Sequence, residues 1–121
     1  MLGIGIDAVD IERFRRALQR TPGLLARVFT EHELNGVGAK ADPAASLSAR
    51  FAVREAAMKV LGVGLGAFDL HDVSIERQDS GEPRLLVTGR AQELAKAKGI
   101  AIWHVSLSHT KLVAVAVVVA A

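Results

Sequence analysis

Apolar positions change spacing several times along this chain, and the changes divide it into elements. Residues 2–7, Leu-Gly-Ile-Gly-Ile-Asp, read as a short strand whose two glycines let another backbone or a ligand come close. Asp7 ends that strand, either as a turn residue or as a carboxylate placed to hold a cation. Asp10 then stands where it can cap a helix over residues 11–19. There Ile11, Phe14 and Leu18 make one stripe, and Arg13, Arg16 and Arg20 make another on roughly the opposite side. Thr21-Pro22-Gly23 breaks the pattern, residues 24–28 allow a short helical turn, and Thr30 with Glu33 forms a capping box for the next helix. Residues 36–43, rich in Gly, Ala and Pro, read as loop.

A long helix follows over residues 43–61, Ala-rich, without internal glycine and closed by Gly62. At about 100° per residue, Ser48, Ala52, Glu55 and Lys59 fall on one flank and Arg50 with Arg54 on a second. Leu47, Phe51 and Met58 lie between them. A surface helix separates charge from hydrophobe. Here they interleave around the circumference, which points some charges into a cleft. Taken alone, Glu55 and Lys59 also have the spacing of an ordinary surface ion pair.

The second half alternates. Residues 71–77 and 84–88 pair as a hairpin across the 79–83 turn, residues 89–98 form a helix, and residues 100–108 and 112–119 form a final hairpin. The last of these is apolar on both faces and requires cover on both, one of which can be another subunit. The fold class is therefore α+β: one small domain over residues 1–121, with a mainly antiparallel sheet packed on a long central helix.

Composition narrows the chemistry. At 121 residues the chain is long enough for one real core, 50% hydrophobic but only 4% aromatic, so Ala, Val and Leu must fill the interior. The absence of cysteine excludes disulfides and thiolate metal sites and fits a cytoplasmic location. The early Asp7 argues against a signal peptide, and the C-terminal apolar run is too short to span a bilayer. A net charge of +2 is too mild to announce nucleic acid.

Several familiar signatures fail. Gly3-x-Gly5 continues to Ala8 rather than a third glycine, so a dinucleotide fingerprint does not fit. Gly62, Gly64 and Gly66 follow the negative end of a helix and make no phosphate cradle. His104 and His109 are an odd number of residues apart, which sends them to opposite faces of a strand. Ser108 lacks a nucleophile elbow. The stripe of Arg13, Arg16 and Arg20 is either a solvated face or a docking face for an acidic partner.

Four segments in order resemble one family, the holo-[acyl-carrier-protein] synthases, the short bacterial phosphopantetheinyl transferases. They are Gly3-Ile4-Gly5-Ile6-Asp7 with Arg13, Phe29-Thr30-Glu31-His32-Glu33, Arg50-Phe51-Ala52-Val53-Arg54-Glu55-Ala56-Ala57-Met58-Lys59, and His104-Val105-Ser106-Leu107-Ser108-His109-Thr110. The turn Gly81-Glu82-Pro83 also matches. The departure is Arg54, where many members carry lysine; charge is kept but geometry is not.

The resemblance implies transfer of phosphopantetheine from coenzyme A to a serine of apo acyl carrier protein, releasing adenosine 3',5'-bisphosphate, in support of fatty acid biosynthesis. It implies Mg²⁺ held by Asp7 and Glu55, with Glu55, directly or through a metal-held water, the candidate base and Lys59 either stabilising the departing bisphosphate or protonating it. Arg50, Lys59, His109, Thr110 and Lys111 would contact the nucleotide, with Gly81 and Pro83 near adenine. Arg13, Arg16 and Arg20 would receive the acidic carrier protein. A homotrimer with sites between subunits is the implied assembly, with no membrane or nucleic-acid partner. A non-catalytic module that grips coenzyme A is the rival reading, and Asp7, Glu55 and Lys59 together count against it.

Overall fold

The computed structural model describes residues 2–38 and 40–121. A strand β1 (Gly3–Asp10) leads into helices α1 (Ile11–Arg20), α2 (Leu24–Val28), α3 (Glu31–Val37) and α4 (Ala44–Leu61). A single 3-10 turn, Leu70–Asp72, precedes the hairpin β2 (Val73–Arg77) and β3 (Pro83–Val87); helix α5 (Gly89–Ala97) and the hairpin β4 (Trp103–His109) and β5 (Val113–Ala120) complete the chain. Every pairing is antiparallel, in a three-stranded sheet ordered β1-β5-β4 and a separate two-stranded sheet β2-β3. The α+β class and the long central helix are as the sequence predicts.

Local chemistry explains the boundaries. The Thr30–Glu33 capping box forms in both directions at the start of α3. Gly62 ends α4 in the left-handed region at φ 70°, and the Val63 N–H returns to the Met58 carbonyl at 3.0 Å. One expectation fails: Asp7 does not end β1. Backbone pairing with β5 carries the strand through Asp10, opposite Val113, and Asp10 then caps α1 by accepting from the Arg13 N–H at 2.9 Å. Asp7 is thereby an internal strand residue on the helix-facing side. The loop predicted over residues 36–43 is shorter at its start, because α3 runs to Val37; Ala39 lies outside the described residues.

Fourteen of the eighteen residues of α4 are buried, which is why its hydrophobes and charges interleave. One flank packs on β5 through Ala116, Val118 and Ala120, and another on Val73, Ile75 and Leu85 of the smaller sheet. Phe14, Val28, Phe29 and Leu47 form a second cluster beneath α1 to α3. Only Ala45, Phe51, Glu55 and Lys59 of α4 are not buried, and the last three follow one another at four-residue steps. Along β5 the apolar residues do alternate in exposure: Ala114, Ala116, Val118 and Ala120 lie under α4, while Val113, Val115, Val117 and Val119 face outward. Ile4 and Ile6 extend that outer face and are 59% and 58% exposed.

Candidate functional site

Two elements bring the acidic residues together. On β1, Gly3 and Gly5 carry no side chain where the strand crosses α4, so the helix sits directly on the strand backbone. The next inward position is Asp7, and the helix residue beside the contact is Glu55. Both line a groove of about 1000 Å³ that also includes Asp10, Arg13, Phe14, Arg27 and Phe51. Lys59, one turn further along α4, donates to the Ile6 carbonyl at 2.7 Å and approaches Asp7 Oδ1 at 3.3 Å.

The electrostatics bear on what this groove can hold. Partial burial pushes the Glu55 carboxyl above the usual carboxylate value, and the charge of Asp7 adds to that, while Lys59 partly offsets both. A cation shared by the two carboxylates would relieve the cost that burial and the Asp7 charge place on ionised Glu55. Among the described residues no group of three or more His, Asp or Glu side chains converges. A cation here would thus have two protein carboxylates and take its remaining ligands from water and substrate oxygens. Mg²⁺ accepts that donor set.

The other predicted residues do not gather there within one chain. Arg50 lines a separate cavity of about 340 Å³ with His32, Glu33, Lys40 and Arg77. His109, Thr110 and Lys111 edge a third hollow with Arg15 and Asp42. Gly81 takes φ 86° in the β2–β3 turn, its carbonyl accepting from Arg77 Nη1 at 2.7 Å, and Pro83 faces a fourth hollow beside Trp103 and His104. Arg13, Arg16 and Arg20 are exposed along α1, and Arg13 alone of them reaches the acidic groove.

Sequence reasoning missed two features. Arg27 of α2 joins Arg13 along the groove, though α2 alone is too short to show a face. Arg54 is fully buried and grips both oxygens of buried Glu33, with Nη2 to Oε1 at 2.6 Å and Nη1 to Oε2 at 3.0 Å. Its Nε donates to the Leu70 carbonyl at 2.8 Å and its guanidinium lies 5.1 Å from the centre of the Phe29 ring. Burial pushes the Glu33 carboxyl up, but hydrogen bonding and charge from Arg54, with the Thr30 and Ile75 N–H groups, outweigh it and leave the group below its ordinary value. Arg54 therefore has no access to a substrate; it ties α3, α4 and the 3-10 turn together. Removing one partner of such a pair costs about 3–5 kcal/mol. A buried arginine needs a carboxylate partner, and here the capping glutamate of α3 supplies it.

A sequence model of the family described as the 4'-phosphopantetheinyl transferase superfamily matches residues 3–118. Holo-[acyl-carrier-protein] synthase of Moorella thermoacetica is 47% identical over 117 residues, covering 97% of this chain and 91% of that protein. The protein of the same name from Streptomyces avermitilis is 48% identical over 120 residues, covering 99% of this chain and 97% of its own. Among solved structures, Helicobacter pylori holo-[acyl-carrier-protein] synthase in complex with coenzyme A superposes with a TM-score of 0.84 at 29% identity, covering 98% of this chain and 99% of that one. The Bacillus anthracis synthase in complex with CoA (3',5'-ADP) gives 0.81 at 30%, covering 98% and 95%.

Proposed function

The chain belongs to the holo-[acyl-carrier-protein] synthases of the 4'-phosphopantetheinyl transferase superfamily, and we propose on that premise how its own residues perform the transfer. The reaction moves phosphopantetheine from coenzyme A to a serine of apo acyl carrier protein and releases adenosine 3',5'-bisphosphate. The observation that carries the reading is the meeting of Asp7 and Glu55 in one groove with Arg13, while Lys59 bonds to Asp7 beside it.

Asp7 and Glu55 would hold Mg²⁺. The chemistry a metal held there would supply is neutralisation of pyrophosphate oxygens for an in-line displacement. The residues supply the rest. Glu55, at the groove beside Asp7, is the candidate base for the carrier serine. Lys59 is anchored on the Ile6 carbonyl beside Asp7, from where its ammonium stabilises negative charge on the departing bisphosphate. Arg50, His109, Thr110 and Lys111 contact the nucleotide phosphates, with Gly81 and Pro83 near adenine. Because these residues line different cavities of one chain, a complete site draws them from a neighbouring subunit, in a homotrimer of the family type, and the outer apolar face of β1 and β5 offers a surface for contact between subunits.

Arg13, Arg16 and Arg20 lie on an exposed face of α1 leading away from the groove, so an acidic carrier protein bound there presents its serine to Glu55. A role in fatty acid biosynthesis and a cytoplasmic location belong to the same reading. Among the described residues no helix is long and apolar enough to cross a membrane.

The test is incubation of the purified protein with coenzyme A, Mg²⁺ and apo acyl carrier protein. A phosphopantetheine mass gain on the carrier serine is expected, and it should vanish with a chelator. An unmodified carrier that still binds the protein would instead favour the non-catalytic module.

A further inference from the structure

Arg50 is 8% exposed and poorly satisfied. Its Nη1 donates to the Ser46 carbonyl at 3.2 Å, and its Nε is buried with no hydrogen-bond partner among the described residues. The cavity it lines also holds His32, Lys40 and Arg77, and Glu33 is its one carboxylate among the described residues. Burial lowers the pKa of Arg50; the charge of Glu33 opposes this, and the like charges of Arg77 and Arg54 add to it. Arg50 is thus a cation short of a counter-charge, next to a carboxylate that does not pair with it.

Glu33 is held back because both of its oxygens are in use. Oε1 accepts from the Thr30 N–H at 3.0 Å and from Arg54 Nη2, and Oε2 accepts from Arg54 Nη1 and the Ile75 N–H at 3.1 Å. An uncommitted carboxylate in this cavity would form its own charge-assisted pair with Arg50, because both charges are costly to leave alone away from water. We propose that Arg54 is a positioning residue that monopolises Glu33, keeping the Arg50 cavity open for a phosphate group of the nucleotide substrate. The planar guanidinium suits this task, since its fork occupies both carboxylate oxygens at once. The proposal rests on the assignment of Arg50 as a phosphate contact.

The experiment measures coenzyme A binding by calorimetry, without carrier protein, on variants whose folding is checked by circular dichroism and thermal melting. Arg54→Met frees Glu33 to pair with Arg50 and should weaken coenzyme A about tenfold. Arg54→Met combined with Glu33→Gln removes the freed carboxylate and should recover affinity to within about threefold of the parent, even while melting lower. Glu33→Gln alone should melt lower yet bind coenzyme A no more weakly. Arg54→Lys, which still engages one oxygen, should fall between the parent and Arg54→Met; with Glu33→Gln it carries the test if Arg54→Met does not fold. A double variant as weak as Arg54→Met, or an affinity loss for Glu33→Gln matching its stability loss, would make the pair a brace only and overturn the proposal. Arg50→Met separates the premise: unchanged affinity in that single variant would remove the phosphate assignment itself.

Discussion

Gly5 of β1 lies against the carbonyl of Ala56 on α4, so closely that a Cβ at Gly5 would stand 2.0 Å from that oxygen and 2.9 Å from its carbon. This contact sets the separation of strand and helix two residues before Asp7 and one residue after Glu55. The obstructing atoms are backbone, so they cannot move aside as a side chain would.

Gly5→Ala should therefore push β1 away from α4. A stability loss of about 3 kcal/mol is expected, at the upper end for overpacking. Residual folded protein should show a lower kcat, because Asp7 is displaced from Glu55. Denaturant unfolding and steady-state kinetics check both, and a variant with parental stability would contradict the close contact.

Glu55→Gln separates stability from activity. The pKa of Glu55 is raised in the fold, so its favourable contribution is complete below the unfolded-state value of 4.5 and is lost as pH rises through the folded one. At neutral pH the ionised carboxylate is thus a liability. The glutamine variant should melt no lower than the parent there, and any advantage should disappear below that value. Its turnover should fall by about 10²–10⁴. Added Mg²⁺ should raise the melting temperature of the parent and not of the variant.

The arginine face predicts a selective defect. Arg13→Glu with Arg16→Glu should raise KM for the carrier protein about tenfold or more at low salt, with little change for coenzyme A. The difference should shrink as salt is added. Equal losses for both substrates would remove the docking assignment.

Ile6 tests the assembly. It is 58% exposed and sits opposite Val117 on the outer sheet face, where a glutamate in a single chain would cost little. If that face joins subunits, Ile6→Glu should sediment as a monomer and lose transfer. A parent protein that is itself monomeric at assay concentration would defeat the shared-site picture.

Much of this was legible from residue order. The capping box at Thr30 and Glu33, the stop at Gly62, the arginine stripe of α1 and the hairpins all arise from neighbours within a few residues, where spacing and backbone preference act directly. The acidic residues and Lys59 were also identifiable, because their motifs are contiguous in the chain. Asp7 was misjudged as a strand terminus because the strand's length depends on pairing with β5, more than a hundred residues away.

The sequence by itself determined the elements and the chemical inventory: which side chains are acidic, which basic, and which segments can be helix or strand. Only the tertiary structure decided how those charges are partitioned. Arg50, Arg54 and Glu55 lie within six positions on one helix, yet Arg54 is locked to Glu33, Arg50 faces a separate cavity, and Glu55 opens on the groove with Asp7. The reason is physical: a helix wrapped by neighbours on nearly every side exposes each charge to a different environment, and those environments are built by β1, α3 and β2, not by the helix's own residues.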